Sequence, residues 1–177
     1  MTEHHRRRID QVLAEEFCED LASLELDPLR QRRDLAEEVE RQLSYYRRLF
    51  HGRLDLVAFE LGRRRGQETR TLMEALPDIL AAGLTGGQAG SARHLSVELE
   101  LPEITGRREV DQILEADAMT RVTTMSEAEL IELQDALADI EGVVSEQRGR
   151  LHQVIDRLQA EIIDRYKRGL AQADAPA

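Results

Sequence analysis

The sequence predicts an all-α protein: a long antiparallel two-helix coiled coil with an acidic N-terminal helix and short linker helices. Three observations predict it. Apolar residues recur at steps of three or four along two long stretches. Aromatic residues make up only 3% of the 177 residues, Trp is absent and charged residues reach 33%, which favours long helices over a thick globular core. One polar pattern occurs twice, its copies separated by a constant offset. By length this is a single helical domain, 1–177.

The elements follow in order. Ile9, Val12, Leu13, Phe17, Leu21 and Leu24 predict a first amphipathic helix over 8–24, with acids between them. Leu26-Asp-Pro-Leu29 breaks it; Asp27 suits a cap and Pro28 the first helical position. A second helix is expected over 28–65, about 55 Å long. Its seam is Val39, Leu43, Tyr46, Phe50, Leu54, Val57 and Leu61, close to a heptad. Residues 66–125 read as a linker: a short helix over 68–82, bent or started near Pro77, a flexible Gly-rich loop from Leu84 to Ser91, and a short helix near 108–117. Ser126 and Glu129 have capping-box spacing and open the final helix, 126–170. Its seam is Leu130, Leu133, Leu137, Ile140, Val144, Gln147, Leu151, Ile155, Leu158 and Ile162. The tail 171–177 is expected to be disordered. Narrow seams on two long helices cannot be buried alone, so the helices are expected to pair.

Charge excludes some functions. The chain carries 35 acids against 24 bases, net −11, which opposes direct DNA binding because that needs a positive field. The charge falls in blocks: acidic over 9–27, Arg-rich over 28–70 and acidic over 96–141. No apolar run reaches membrane-spanning length, and no apolar signal core is present. Cys18, the single Cys, fits a reducing cytoplasm and is read as a small buried hydrophobe.

The repeat is the informative feature. Glu40, Ser44, Arg47, His51 and Asp55 recur as Glu141, Ser145, Arg148, His152 and Asp156. The flanking Glu60 and Arg64 recur as Glu161 and Arg165. At 100° per residue each five-residue set lies within an arc of about 80°, beside the seam, and extends about 22 Å along its helix. In an antiparallel pair both stripes are expected to border one groove, related by a pseudo-two-fold axis. Arg offers a planar fork to phosphate or to guanine O6 and N7, and Asp can accept from guanine N1–H and N2–H₂. Ser adds a hydroxyl, and Glu can orient Arg. A cyclic dinucleotide, two-fold and bearing phosphates and guanines, suits such a site.

The twin pattern resembles the signature of the RsiG family of actinobacterial anti-sigma factors: Glu, Ser, Arg, Gln and Asp at these spacings, one copy on each of two coiled-coil helices. The sequence matches at Glu40, Ser44, Arg47, Asp55, Glu141, Ser145, Arg148 and Asp156, and departs at His51 and His152, where the family has Gln. The resemblance implies cyclic di-GMP as a regulatory ligand, bound between the helices as an intercalated dimer. It also implies a sigma factor of the WhiG (flagellar/sporulation) type as partner, sequestered by the ligand-bound form. The acidic blocks are candidates for meeting a basic sigma surface.

Three other readings compete. His51 with Asp55, and His152 with Asp156, are i, i+4 pairs that facing helices can turn into a metal site, although Arg47 and Arg148 repel a cation. His51 or His152 can alternatively serve as a phosphoacceptor, which two equivalent copies disfavour. A nucleotide-independent coiled-coil interaction protein is the plain alternative. No nucleophile elbow, phosphate loop or triad is present, so no enzyme is expected.

Overall fold

The computed structural model describes residues 8–84 and 121–173. Its elements in order are α1 (Arg8–Leu13), two 3₁₀ turns (Glu15–Cys18 and Leu21–Ser23), α2 (Leu26–Arg64), α3 (Leu72–Leu84) and α4 (Glu127–Ala173). The Gly-rich loop and the expected helix near 108–117 lie outside the described residues. The long helices pack against each other, as the seams require.

The N-terminal segment departs from expectation. Only Arg8–Leu13 is α-helical; Ala14 is extended, with ψ 142°, and Asp20 is left-handed, with φ 48°. Opening the helix there releases backbone carbonyls, and arginines of the long helices take them. Arg32 Nη1 donates to the Phe17 carbonyl at 2.7 Å, Arg157 Nη2 to that of Cys18 at 3.2 Å, and Arg165 Nη2 to that of Leu21 at 2.8 Å. Apolar periodicity sees which side chains are buried, not that their carbonyls have better partners outside a helix.

The helix ends have legible causes. Pro28 sits in the first turn of α2, where a missing N–H costs nothing. At the other end Gly66, φ 74°, closes a Schellman motif: Gln67 N–H donates to Gly62 O at 2.9 Å and Gly66 N–H to Arg63 O at 3.1 Å. α3 begins at a capping box, with Thr71 N–H donating to Glu74 Oε2 at 2.7 Å and Glu74 N–H to Thr71 Oγ1 at 3.3 Å. The Thr71-x-x-Glu74 spacing signals this start, later than 68, and Pro77 lies inside the helix. Ser126 and Glu129 form the expected box at the head of α4, at 2.6 and 3.2 Å. α4 continues through Ala173, so 171–173 are helical rather than disordered, while 174–177 lie outside the described residues.

The chain divides into two compact units, each using part of both long helices. One comprises Met1–Ser44 and Glu146–Ala177, the other Tyr45–Ser145. In the first, Ile9, Val12, Phe17 and Cys18 are buried together with Leu29, Val39 and Leu43 of α2 and with Leu151, Leu158 and Ile162 of α4. Arg32 also stacks over the Phe17 ring, 5.6 Å from its centroid. In the second, Phe50, Val57 and Leu61 are buried with Leu130, Leu137, Ile140 and Val144, and Val122 and Ala75 join them. Each fully buried Leu or Phe is worth about 1.5–3 kcal/mol of transfer free energy, so the seams dominate the stability of each unit. Among the described residues no helix is long and apolar enough to cross a membrane.

Candidate functional site

The two stripes sort into two polar clusters, one inside each unit. In the first unit, Glu40 of α2 is the hub. Its Oε1 accepts from Ser44 Oγ at 2.7 Å on its own helix, from Arg148 Nε at 3.0 Å and from His152 Nε2 at 3.1 Å, both on α4. Arg148 Nε also donates to Ser44 Oγ at 2.9 Å. In the second unit the helices exchange roles. Glu141 Oε1 on α4 accepts from Ser145 Oγ at 2.6 Å, from Arg47 Nε at 3.2 Å and from His51 Nε2 at 2.9 Å, while Arg47 Nε reaches Ser145 Oγ at 3.0 Å.

The spacing explains these contacts. Glu and Ser are four residues apart, so Ser donates straight back to the carboxylate on the same helix face. Arg and His are also four apart, and the opposite helix brings both to that carboxylate. Pairing Glu40 with His152 and Ser44 with Arg148 runs the helices antiparallel in the first unit. Pairing Arg47 with Ser145 and His51 with Glu141 does the same in the second. The one stripe sequence therefore supplies acceptors to its partner helix in one unit and donors in the other.

Electrostatics holds both hubs ionised. Burial pushes the Glu40 carboxyl up, but hydrogen bonds from Ser44, His152 and Arg148 outweigh it and leave the group below the ordinary carboxylate range. Glu141 is lowered against the same burial, by Ser145 and His51 and by the charge of Arg47. The charges are only partly screened, with the Glu40 and Glu141 side chains 20% and 19% exposed.

Each Arg is held by its Nε edge. Among the described residues neither Arg47 nor Arg148 makes a hydrogen bond through Nη1 or Nη2. Two parallel donors per guanidinium are thus available to a planar or anionic ligand. Asp55 and Asp156 do not join the clusters. Each stands exposed one turn beyond its His and makes no hydrogen bond or ion pair with the described residues. Eight of the ten stripe residues are therefore brought together, four per unit, and the two Asp are left as open acceptors.

The flanking repeat has a different task. Glu60 is fully buried and is held by Arg63 at 2.7 Å and Arg64 at 2.7 Å, which keep its carboxylate low. Arg64 Nη2 continues to the carbonyls of Val122 and Thr123, both at 3.3 Å. In the first unit Arg165 Nε pairs with Glu161 at 2.9 Å, and its Nη2 reaches the carbonyls of Leu21 and Ala22. Each Glu–Arg pair thus clamps the backbone that leads into a long helix. Sequence shows that these pairs recur, but not that their Arg grips main chain. Nor does it flag Arg32 and Arg157, which have no counterpart in the repeat. Among the described residues no three His, Cys, Asp or Glu side chains converge as metal ligands.

The fold and clusters define a class: an all-α protein whose paired helices display one polar constellation twice. Residues 15–80 match the family model described as RsiG-like, so this stretch of the chain is similar to that family. The matched region contains the first stripe, Glu40 to Asp55; the second stripe, on α4, lies beyond it. No curated protein matches the chain.

Proposed function

We propose that the protein is a cytoplasmic anti-sigma factor that binds cyclic di-GMP through its two clusters and, ligand-bound, sequesters a sigma factor of the WhiG type. The observation that carries this reading is the Nε-anchored guanidinium, present twice in equivalent settings. Glu and Ser fix each Arg, so its two Nη donors are preorganised for guanine O6 and N7 or for a phosphate. Asp55 and Asp156 supply the acceptors that a guanine Watson–Crick edge needs. Two clusters per chain favour more than one ligand molecule per chain. The acidic N-terminal segment, with Asp10, Glu15, Glu16, Glu19 and Asp20, suits a basic protein surface.

Calorimetry of the full chain with cyclic di-GMP tests the ligand. The expected result is saturable binding of more than one molecule per chain; no heat at high micromolar nucleotide sinks it. A pull-down of a WhiG-type sigma factor, with and without the nucleotide, tests the gating. Capture is expected only with ligand, and equal capture without it refutes the coupling. Stoichiometric zinc in the purified protein would favour the metal reading instead.

A further inference from the structure

Both motif histidines have a hydrogen-bonding state dictated by their neighbours. Glu141 and Glu40 sit low and ionised, so their oxygens only accept. His51 Nε2 lies 2.9 Å from Glu141 Oε1, and His152 Nε2 lies 3.1 Å from Glu40 Oε1. In both rings Nε2 must therefore carry the hydrogen. When the ring is neutral, Nδ1 is left with a bare lone pair. Among the described residues Nδ1 of neither ring makes a hydrogen bond, and the side chains are 43% and 46% exposed. His51 meets Glu141 of α4, whose carboxylate it shares with Arg47, and has Arg48 and Asp55 within a turn on its own helix; His152 meets Glu40 of α2, shared with Arg148, and has Asp156 a turn away on its own helix.

We propose that His51 and His152 are specificity-determining residues of the two clusters, each presenting to the ligand an Nδ1 that accepts when the ring is neutral and donates when it is protonated. For the identity of the ligand this rests on the cyclic di-GMP reading; for the state of the rings it does not. The same Glu oxygen holds the imidazole and the Arg Nε, so ring and guanidinium are tied to one point. A neutral Nδ1 suits a donor such as guanine N1–H or N2–H₂. A protonated ring adds a positive charge and a donor, which suits phosphate oxygen. Phosphodiesters stay anionic throughout the neutral range, so ligand binding favours the protonated ring, and affinity rises as pH falls.

The test has a ligand-free arm and a ligand arm. Nitrogen-15 NMR of the free full-length chain above neutral pH should show both rings as the Nε2–H tautomer; Nδ1–H in either ring overturns the proposal whatever the ligand does. Calorimetry with cyclic di-GMP, in two buffers of different ionisation heat, should show proton uptake. It should also show affinity about three- to tenfold tighter near pH 6 than near pH 8. The His51→Gln/His152→Gln double variant keeps a donor for each Glu but does not titrate, and its affinity should be flat with pH. A wild type that binds equally at both pH values, or a variant that keeps the full pH dependence, overturns the proposal and leaves the ligand reading standing. A wild type that binds at neither pH removes both.

Discussion

The two polar clusters and the two flanking clamps repeat with different fidelity. Glu40 and Glu141 are nearly identical: one carboxylate oxygen, the same three donors, and exposures of 20% and 19%. Glu60 and Glu161 share a sequence position within the repeat but not an environment. Glu60 is fully buried between Arg63 and Arg64, whereas Glu161 is 18% exposed and is shared by Arg165 and Arg168. The clamps differ because each must fit a different segment, the Val122–Thr123 backbone in one unit and the Leu21–Ala22 backbone in the other. The clusters have no such local client, and their identity in two unlike surroundings is what a shared ligand chemistry would maintain.

The largest expected effect breaks the clamps. Glu60→Ala leaves two arginines facing a buried void and should cost about 2–4 kcal/mol in urea unfolding; Glu161→Ala, already partly solvated, should cost about 1 kcal/mol. Equal losses would erase the distinction. Next come the two arginines of the proposed ligand sites. Arg47→Ala and Arg148→Ala should each weaken cyclic di-GMP binding by about 10- to 100-fold, the loss expected for a charge-assisted bidentate contact, and by matching amounts. A tenfold disparity between them would show that the clusters are not equivalent.

Acid titration of stability is smaller. Glu40 and Glu141 both have lowered folded pKa values, so their contribution is fully present above the unfolded carboxylate value and is lost as pH falls through the folded one. Denaturant midpoints should drop more steeply below about pH 4 in wild type than in Glu40→Gln/Glu141→Gln. Parallel curves would mean the hubs add nothing. The smallest effect is at a cap: Ser126→Ala should cost about 1 kcal/mol, read as a fall in Tm, with nucleotide affinity untouched.

Much of this is legible in the sequence. Most seam positions are buried, from Val39 and Leu43 through Leu158 and Ile162, because period decides which side of a helix leaves water, while Tyr46, Leu54, Gln147 and Ile155 are only half-buried. The twin stripes were legible because their residues sit at helical spacing. The break at Ala14 was not, since Phe17 and Cys18 are buried whether the chain is α-helical there or not. The α3 start is written in the Thr71–Glu74 spacing, which competes in the sequence with the helix-start signal of Pro77.

The sequence by itself determined that two helices must pair and that Glu, Ser, Arg, His and Asp would recur along their edges, because spacing and polarity are local properties of one helix. Only the tertiary structure decided that each Glu holds the Arg and His of the opposite helix, that both Asp stay outside, and that Glu60 is entombed while Glu161 is not. Those outcomes depend on which groups the partner helix and the returning backbone bring within hydrogen-bond reach, and no single helix contains that information.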